Sequence, residues 1–190
     1  MKTNDIFTGD LILVNSYFPM RNEDKIDSVS VNETEIKLQR IAAESLDALM
    51  REINGWSEIV PVSGFRSLSE QQKIWNDSLK ESGSDFTQKY VAKPGHSEHQ
   101  TGLAIDLGKK QKHIDFIRPD FPNDGICGKF KRLAPKYGFI LRYPKGKEHI
   151  TKIGYEPWHF RYVGIPHAEI IEKKGLVLEE YIEFLKRNVK

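Results

Sequence analysis

The sequence predicts an α+β fold, in which a small and mostly antiparallel sheet has helices packed beside it. Short runs of alternating or branched residues predict strands at 59–62, 102–107 and 139–143, and apolar residues recur at helical spacing between and after them. The 190 residues are enough for one domain with its own core. We therefore expect a single domain over residues 1–190, including an irregular N-terminal arm over residues 1–31.

The arm and the first helix are predicted from local signals. The arm contains one short extended piece, at 11–14, where four apolar residues follow one another. Asn32 and Glu35 have the spacing of a capping box, and apolar residues then recur near helical spacing. We expect the first helix to begin at Asn32 and to end at Gly55, because glycine commonly ends helices.

The next predicted elements are a strand and a second helix. Residues 59–62 form the strand, and Ser69 with Gln72 then provides the signature of a helix N-terminus. Gly83 is expected to end this helix. A polar loop follows over residues 84–98, and it is placed to line a substrate cleft.

Alternation between bulky and small residues characterises the strand predicted at 102–107. One face carries the bulky residues Leu103, Ile105 and Leu107, and the other carries Gly102, Ala104 and Asp106. The bulky face is predicted to fill a core. The small residues leave room around Asp106 for a ligand.

The C-terminal half is predicted to contain a helix, a strand and two further helices, at 125–137, 139–143, 166–174 and 178–187. Between them, Pro157 lies inside the sequence Glu-Pro-Trp-His. A proline in a helix interior removes a hydrogen bond and clashes with the preceding turn. Glu156 and His159 are therefore predicted not to lie on a regular helix, and extended pieces are predicted on either side of them at 153–155 and 160–163.

Composition excludes several classes of protein. The 29 basic and 27 acidic residues give a net charge of +2 with no basic stripe, so we expect no nucleic-acid partner. Cys127 is the single cysteine, which excludes an intramolecular disulfide and a cysteine-rich metal site, and it is predicted to be a buried apolar residue. No segment has the length of a signal-peptide core or of a membrane span, so we expect a cytoplasmic protein without a membrane span.

Two histidines and two acidic residues suggest a metal site. His99, Asp106 and His159 offer the neutral imidazoles and the carboxylate that suit zinc, and Glu156 is a spare carboxylate three residues from the last of them. Taken singly, each has a more ordinary structural role, and only their agreement favours a site. His96 lies close to His99 but is predicted to lie in the loop or on the rim of the pocket, because a third histidine ligand would leave Asp106 without a role. His113, His149 and His167 are predicted to lie on the surface.

Several separated motifs resemble one enzyme family. The motif Ser-x-His-x-x-Gly-x-Ala-x-Asp at 97–106, the sequence Glu-Pro-Trp-His at 156–159 and the turn Ser-Gly-Phe-Arg-Ser at 63–67 agree with it in type and order. Together they resemble the zinc D,D-carboxypeptidases and D,D-dipeptidases associated with vancomycin resistance. The likeness covers residues 59–164, and the short chain is most similar to the bifunctional, unanchored branch.

The resemblance implies a role for each matching residue. It makes His99, Asp106 and His159 the ligands of one Zn²⁺ per chain and Glu156 the general base. It gives Arg66 the stabilisation of the oxyanion, although an ion pair that holds the loop is the alternative for this residue.

Ser97 and Gln71 match family positions that contact the terminus of the peptide, and Trp158 is predicted to form a wall of the pocket. Each has an equally plausible structural role: Ser97 as the cap of a turn, Gln71 as a helix residue facing solvent, and Trp158 as part of the core.

The resemblance also implies an activity, the hydrolysis of D-Ala-D-Ala and the removal of the terminal D-Ala from peptidoglycan pentapeptide precursors. A cell-wall endopeptidase that cuts L-Ala-D-Glu bonds or cross-links is one alternative. A non-catalytic zinc domain that binds peptides is another, but such a domain would need neither Glu156 nor Arg66. The sequence does not indicate an oligomeric state.

Overall fold

A four-stranded antiparallel sheet forms the centre of the computed structural model, which describes residues 8–21 and 26–188. The six strands of the described chain are β1 (Ser28–Ser30), β2 (Lys37–Gln39), β3 (Ile59–Ser63), β4 (Ala104–Lys109), β5 (Phe139–Tyr143) and β6 (Glu156–Tyr162). The six helices of the same residues are α1 (Arg40–Ile53), α2 (Leu68–Tyr90), α3 (Gly125–Leu133), α4 (Glu148–Thr151), α5 (His167–Lys174) and α6 (Leu178–Asn188). The α+β prediction is confirmed.

Strand order brings distant parts of the sequence together. The sheet order is β3-β4-β6-β5, and a separate hairpin pairs β1 with β2. In the register of β4 and β6, Asp106 lies directly opposite His159. Asp106 also pairs with Ser63 of β3, after an irregularity in that strand. On the far side of β6, Glu156 pairs with Tyr143 of β5, again after an irregularity.

The bulky face of the sheet packs on helices α1 and α3. Fully buried aromatic rings meet edge to face, with Phe130 and Phe160 at 4.8 Å and Phe121 and Phe160 at 5.4 Å between ring centroids. Such contacts add about 0.5–1.5 kcal/mol each to the burial of the rings. This core lies behind β4 and β6, and it therefore holds in place the strands that carry the candidate site.

A second apolar cluster covers the other side of the sheet. Helices α5 and α6 pack there with Leu11, Leu13 and Ile140. The extended piece predicted at 11–14 is not part of a sheet, although its side chains are largely buried. The part of the predicted arm at residues 1–7 and 22–25 lies outside the described residues. Among the described helices, not one is long and apolar enough to cross a membrane.

The predicted start of the first helix was wrong. Asn32 and Glu33 have positive φ values of 47° and 58° and form the turn between β1 and β2, and α1 begins only at Arg40. Asparagine favours turns for the same reason that it favours helix caps, because its side chain bonds to nearby backbone groups. The end was one residue off, since Asn54 adopts the left-handed conformation that was expected of Gly55.

The second helix also begins and ends differently from the prediction. Its cap is Ser67, two residues before the predicted Ser69, and Glu70 completes a reciprocal capping box. Gly83 kinks the helix with a φ of 79°, but the chain resumes a helical path to Tyr90. The loop predicted over residues 84–98 is therefore helical in its first half.

Candidate active site

Three side chains of metal-binding type converge at one end of the central strands. Asp106 and His159 are cross-strand neighbours, and His99 lies in a short 3-10 turn, Glu98–Thr101, that precedes β4. The turn ends at Gly102, whose positive φ of 69° directs the chain back into the sheet. One ligand atom of each of the three residues lies within 4.8 Å of the others. The structure thus brings together the three residues that were predicted as ligands, and His99, Asp106 and His159 form the candidate ligand cluster.

The spacing and orientation of these atoms suit a tetrahedral ion. His99 Nδ1 donates to the Gly64 carbonyl at 2.7 Å, which leaves Nε2 facing the cluster. His99 Nε2 lies 3.1 Å from Asp106 Oδ2, and His159 Nδ1 lies 3.0 Å from Asp106 Oδ1. Bonds of about 2.0–2.1 Å to zinc place ligand atoms roughly 3.3 Å apart in a tetrahedron. Asp106 Oδ1 is buried and accepts no hydrogen bond from the described residues, which is the environment of an oxygen that binds a cation.

Burial and mutual charge shift the pKa values of the three groups. Burial, assisted by the charge of Arg66, lowers the pKa of His99 to about 4, so its imidazole is neutral at pH 7. Burial alone would lower the pKa of His159, but the carboxylate of Asp106 outweighs it and raises that pKa to about 9. Burial likewise opposes ionisation of Asp106, yet the two histidines hold its pKa well below the ordinary range. Asp106 is therefore ionised, which is the state that metal binding would require.

Glu156 lies beside the ligand cluster without belonging to it. Its Oε2 is 3.5 Å from His159 Nδ1, and the residue is only 4% exposed. Burial raises the pKa of Glu156 to about 8, against the opposing charge of His159. A carboxyl group with a pKa near neutrality is suited both to accept a proton and to return it.

Arg66 contacts His99 and Asp106, and its guanidinium group is almost fully engaged in hydrogen bonds. Nε donates to Ser63 Oγ at 2.8 Å, and Nη1 donates to Gln71 Oε1 at 3.1 Å. Nη2 points at the ligand cluster, 3.1 Å from Asp106 Oδ2 and 3.3 Å from His99 Nε2. The positive charge is thus fixed directly beside the candidate metal position.

Backbone contacts fix the turn that carries Arg66. The Arg66 N–H donates to the His99 carbonyl at 3.1 Å, and the Phe65 N–H donates to the Lys37 carbonyl. A side chain at Gly64 would collide with the same Lys37 carbonyl, so the turn requires glycine there. Two roles were predicted for Arg66, stabilisation of an oxyanion and an ion pair that holds the loop. Both roles depend on the same contacts of this rigid turn.

The three predicted substrate contacts differ in their surroundings. Ser97 and Trp158 line a cavity of about 40 Å³ that opens onto the cluster, and Trp158 also belongs to the main core. Gln71 does not face solvent, since it is fully buried. Its amide oxygen accepts from Arg66, and its amide nitrogen donates to the Ala92 carbonyl at 2.8 Å. Gln71 therefore affects the cavity indirectly, by holding the side chain of Arg66.

Some cavity residues were not predicted from the sequence. Tyr143 lies against His159, with 4.8 Å between ring centroids, and Phe116 and Ile117 line the same cavity. Phe116 was recognisable only as an apolar residue in a segment without periodicity. His96 bonds to the Asn15 carbonyl and lines a neighbouring cavity, outside the ligand cluster.

Comparison with known proteins places this site in a family. The VanY family profile, described as D-alanyl-D-alanine carboxypeptidase, matches residues 35–165, a range that contains the ligand cluster, Glu156 and Arg66. The chain belongs to the VanY family. Membership confirms the family resemblance and the hydrolase class that the motifs indicated.

Relatives within and around the VanY family agree over most of the chain. The bifunctional D-Ala-D-Ala dipeptidase and D-Ala-D-Ala carboxypeptidase VanXYC of Enterococcus gallinarum is 41% identical over 184 residues, which cover 95% of this chain and 97% of that protein. The D,D-dipeptidase VanXYg, whose crystal structure was solved with a D-Ala-D-Ala phosphinate analogue, is 52% identical in sequence. The structural match has a TM-score of 0.92 and covers 97% of this chain and 74% of that one.

A metal-containing structure of the VanY family is also similar. A variant of the D,D-pentapeptidase VanY from the VanB-type resistance cassette, solved in complex with Zn(II), is 29% identical. Its TM-score is 0.75, and the match covers 91% of this chain and 98% of that one. This similarity and the cluster of His99, Asp106 and His159 agree in indicating zinc.

Proposed function

We propose that the protein is a zinc peptidase that hydrolyses D-Ala-D-Ala and removes the terminal D-Ala from peptidoglycan pentapeptide precursors, thereby contributing to glycopeptide resistance. The observation that carries this proposal is one cavity that contains three convergent ligand atoms, a carboxyl group at the side and a fixed guanidinium. A purely peptide-binding zinc domain would need neither of the last two. The named activities of VanXYC and VanXYg give the substrate class.

In this proposal His99, Asp106 and His159 hold one zinc ion per chain. When bound, zinc supplies Lewis-acid activation of the attacking water and of the scissile carbonyl. Glu156 accepts the proton of the attacking water and delivers it to the leaving amine of D-Ala. Its position beside His159, and not among the ligand atoms, leaves its oxygens free for this transfer.

Arg66 stabilises the negative charge that develops on the carbonyl oxygen. Its Nη2 already lies beside two ligand atoms, so the guanidinium needs little reorganisation to meet an oxyanion formed over them. Ser97 and Trp158 contact the substrate directly from the cavity wall. Gln71 assists by holding Arg66, because both ends of its amide are occupied by protein groups.

The proposal is tested by product analysis with the zinc-loaded protein. Free D-Ala should be released from D-Ala-D-Ala and from a pentapeptide precursor ending in D-Ala-D-Ala, and a chelator should abolish release. Intact sacculi serve as the substrate for the endopeptidase alternative, and a tetrapeptide ending in L-Lys-D-Ala shows whether release of D-Ala requires the D-Ala-D-Ala terminus. Release of peptide fragments from sacculi, without free D-Ala from the other substrates, would favour the endopeptidase alternative. Binding without hydrolysis of any substrate would favour the binding domain.

The cytoplasmic location and the one-domain organisation also remain proposals. Immunoblotting of cell fractions tests the first. Limited proteolysis of the intact chain tests the second, because a single domain should be cleaved only at its ends and exposed loops.

A further inference from the structure

A cluster of four buried or largely buried charges lies beneath His159. Glu98, Arg142 and Arg161 have side chains that are fully inaccessible to solvent, and the side chain of Glu179 is 15% exposed. Two guanidinium groups and two carboxylates balance one another in charge. Breaking such a buried pair costs several kcal/mol, so the cluster is a fixed part of the structure.

The two oxygens of Glu98 face in different directions. Oε1 accepts from Arg142 Nε and from Arg161 Nη1, each at 2.8 Å. Oε2 faces His159 Nε2 at a distance of 3.7 Å. Across the described parts of the chain, neither of these two buried atoms has any hydrogen-bond partner. Each is therefore the natural partner of the other, about half an ångström beyond a normal hydrogen bond.

We propose that Glu98 is a positioning residue for the metal site, which accepts the Nε2 proton of His159 and thereby keeps the lone pair of Nδ1 directed at the metal. This inference depends on the zinc site of the proposed function and adds a residue to it. Nδ1 is the nitrogen that faces Asp106, at 3.0 Å. A neutral imidazole carries one proton, so a proton held on Nε2 leaves Nδ1 free to bind.

The surrounding charges give the carboxylate a role that an amide cannot fill. In Glu98→Gln, the side-chain oxygen must remain toward the donors of Arg142 and Arg161, because an NH₂ group there would face two guanidinium groups. The NH₂ group is then directed at His159 Nε2. An NH₂ group only donates to a ring nitrogen, so the proton of the neutral ring moves to Nδ1 and blocks the ligand atom.

The cluster also keeps Glu98 from turning away. Arg142 makes a two-point contact with Glu179 of helix α6, at 2.7 and 2.9 Å. Arg161 Nη2 donates to the backbone carbonyls of Asp10 and Ile12, at 2.9 and 2.8 Å. The C-terminal helix and the N-terminal segment thus fix both arginines, and the arginines fix the carboxylate.

The test compares zinc affinity in Glu98→Gln and in the matched control Glu179→Gln. Each variant removes one carboxylate charge from Arg142, but only Glu98 faces His159. Competition with a chromophoric chelator should show a 10–100-fold weaker zinc affinity for Glu98→Gln, the range typical of lost outer-shell partners, and an affinity within twofold of wild type for Glu179→Gln. Equal affinities of the two variants would overturn the inference. Failure of the wild-type protein to bind zinc would instead overturn the proposed function.

If Glu98→Gln does not fold, two further variants test the same inference. Arg161→Gln alone retains Glu98, and the double variant with Glu98→Gln restores the balance of charge within the cluster. Zinc affinity should fall only in the double variant. In the same proteins without metal, ¹⁵N NMR at a pH above the pKa of His159 should detect its proton on Nε2 when Glu98 is present and on Nδ1 when Gln replaces it. The same tautomer in both proteins would contradict the positioning role.

Discussion

Replacing Glu156 by glutamine should stabilise the metal-free protein while it removes the activity of the zinc-loaded one. Glu156 is 4% exposed, and burial raises its pKa from the ordinary value of 4.5 to about 8. Glutamine has the size and polarity of the protonated carboxyl group but cannot ionise. The substitution therefore removes the cost of keeping an ionisable group in this environment.

The magnitude follows from proton linkage. Because the pKa of Glu156 is higher in the folded than in the unfolded state, its favourable contribution is complete below pH 4.5 and is lost as the pH rises toward 8. At about 1.4 kcal/mol per pH unit, the loss is about 3 kcal/mol at pH 7 and about 5 kcal/mol above pH 8. The stability advantage of Glu156→Gln should thus be near zero at pH 4.5 and should grow as the pH rises.

Urea unfolding of the chelator-treated proteins between pH 4.5 and 8.5 measures this difference. Glu179→Gln is a control without a pH trend in most of this window: burial opposes ionisation of Glu179, but Arg142 outweighs it and lowers its pKa below the ordinary value of 4.5. The variant should therefore be less stable than wild type by an amount that stays nearly constant well above pH 4.5. In the zinc-loaded protein, Glu156→Gln should retain the metal and lose 10²–10⁴-fold in kcat/KM. A variant no more stable than wild type at pH 7, or an advantage independent of pH, would refute the reasoning.

Three further predictions concern other parts of the molecule. Arg66→Lys should retain zinc but lose 10²–10³-fold in kcat/KM, because an ammonium cannot reproduce the fixed fork of the guanidinium; steady-state kinetics with metal analysis checks this. Burial raises the pKa of Cys127 to about 11, so a thiol reagent at pH 8 should react only on the timescale of unfolding, and a fast reaction of the native protein would contradict this. Ser67→Ala should lower the free energy of unfolding by about 1 kcal/mol through loss of the capping box, whereas Ser69→Ala should cost less than half as much in the same denaturation experiment.

Two strands and the starts of the three helices predicted at 125, 166 and 178 were located to within one residue, whereas the starts of the first two helices were not. The strands at 59–62 and 139–143 are short apolar runs between turn residues, and the structure has β3 and β5 there. Asn32 and Ser69 show that a capping signal does not by itself locate a helix. Asn32 lies in a turn because β1 and β2 pair instead. Strand β2 also bonds to residues far along the chain, since the Gln39 N–H donates to the Gly102 carbonyl and the Lys37 carbonyl accepts from the Phe65 N–H.

The candidate ligand cluster could be predicted from the sequence, but the residues that surround it could not. His99, Asp106 and His159 are marked by residue type and by the small-residue face of β4. The position of Tyr143 depends on the register of β5 with β6, including an irregularity that no local pattern indicates. Gln71 was assigned to the substrate because its position matches the family, whereas its contacts depend on how α2 packs beneath Arg66.

One face of the central sheet packs against the apolar core, and the other carries the candidate site and the buried charges. This difference explains where the N-terminal and C-terminal segments pack. In β6, Phe160 and Tyr162 belong to the apolar core, whereas His159 and Arg161 lie on the face that carries the site. Buried charges on that face require partners, because an uncompensated one costs several kcal/mol. Helix α6 and the segment around residues 10–12 supply those partners to Arg142 and Arg161. Helix α6 and the segment at residues 10–12 therefore support the face of the sheet that carries the candidate metal site.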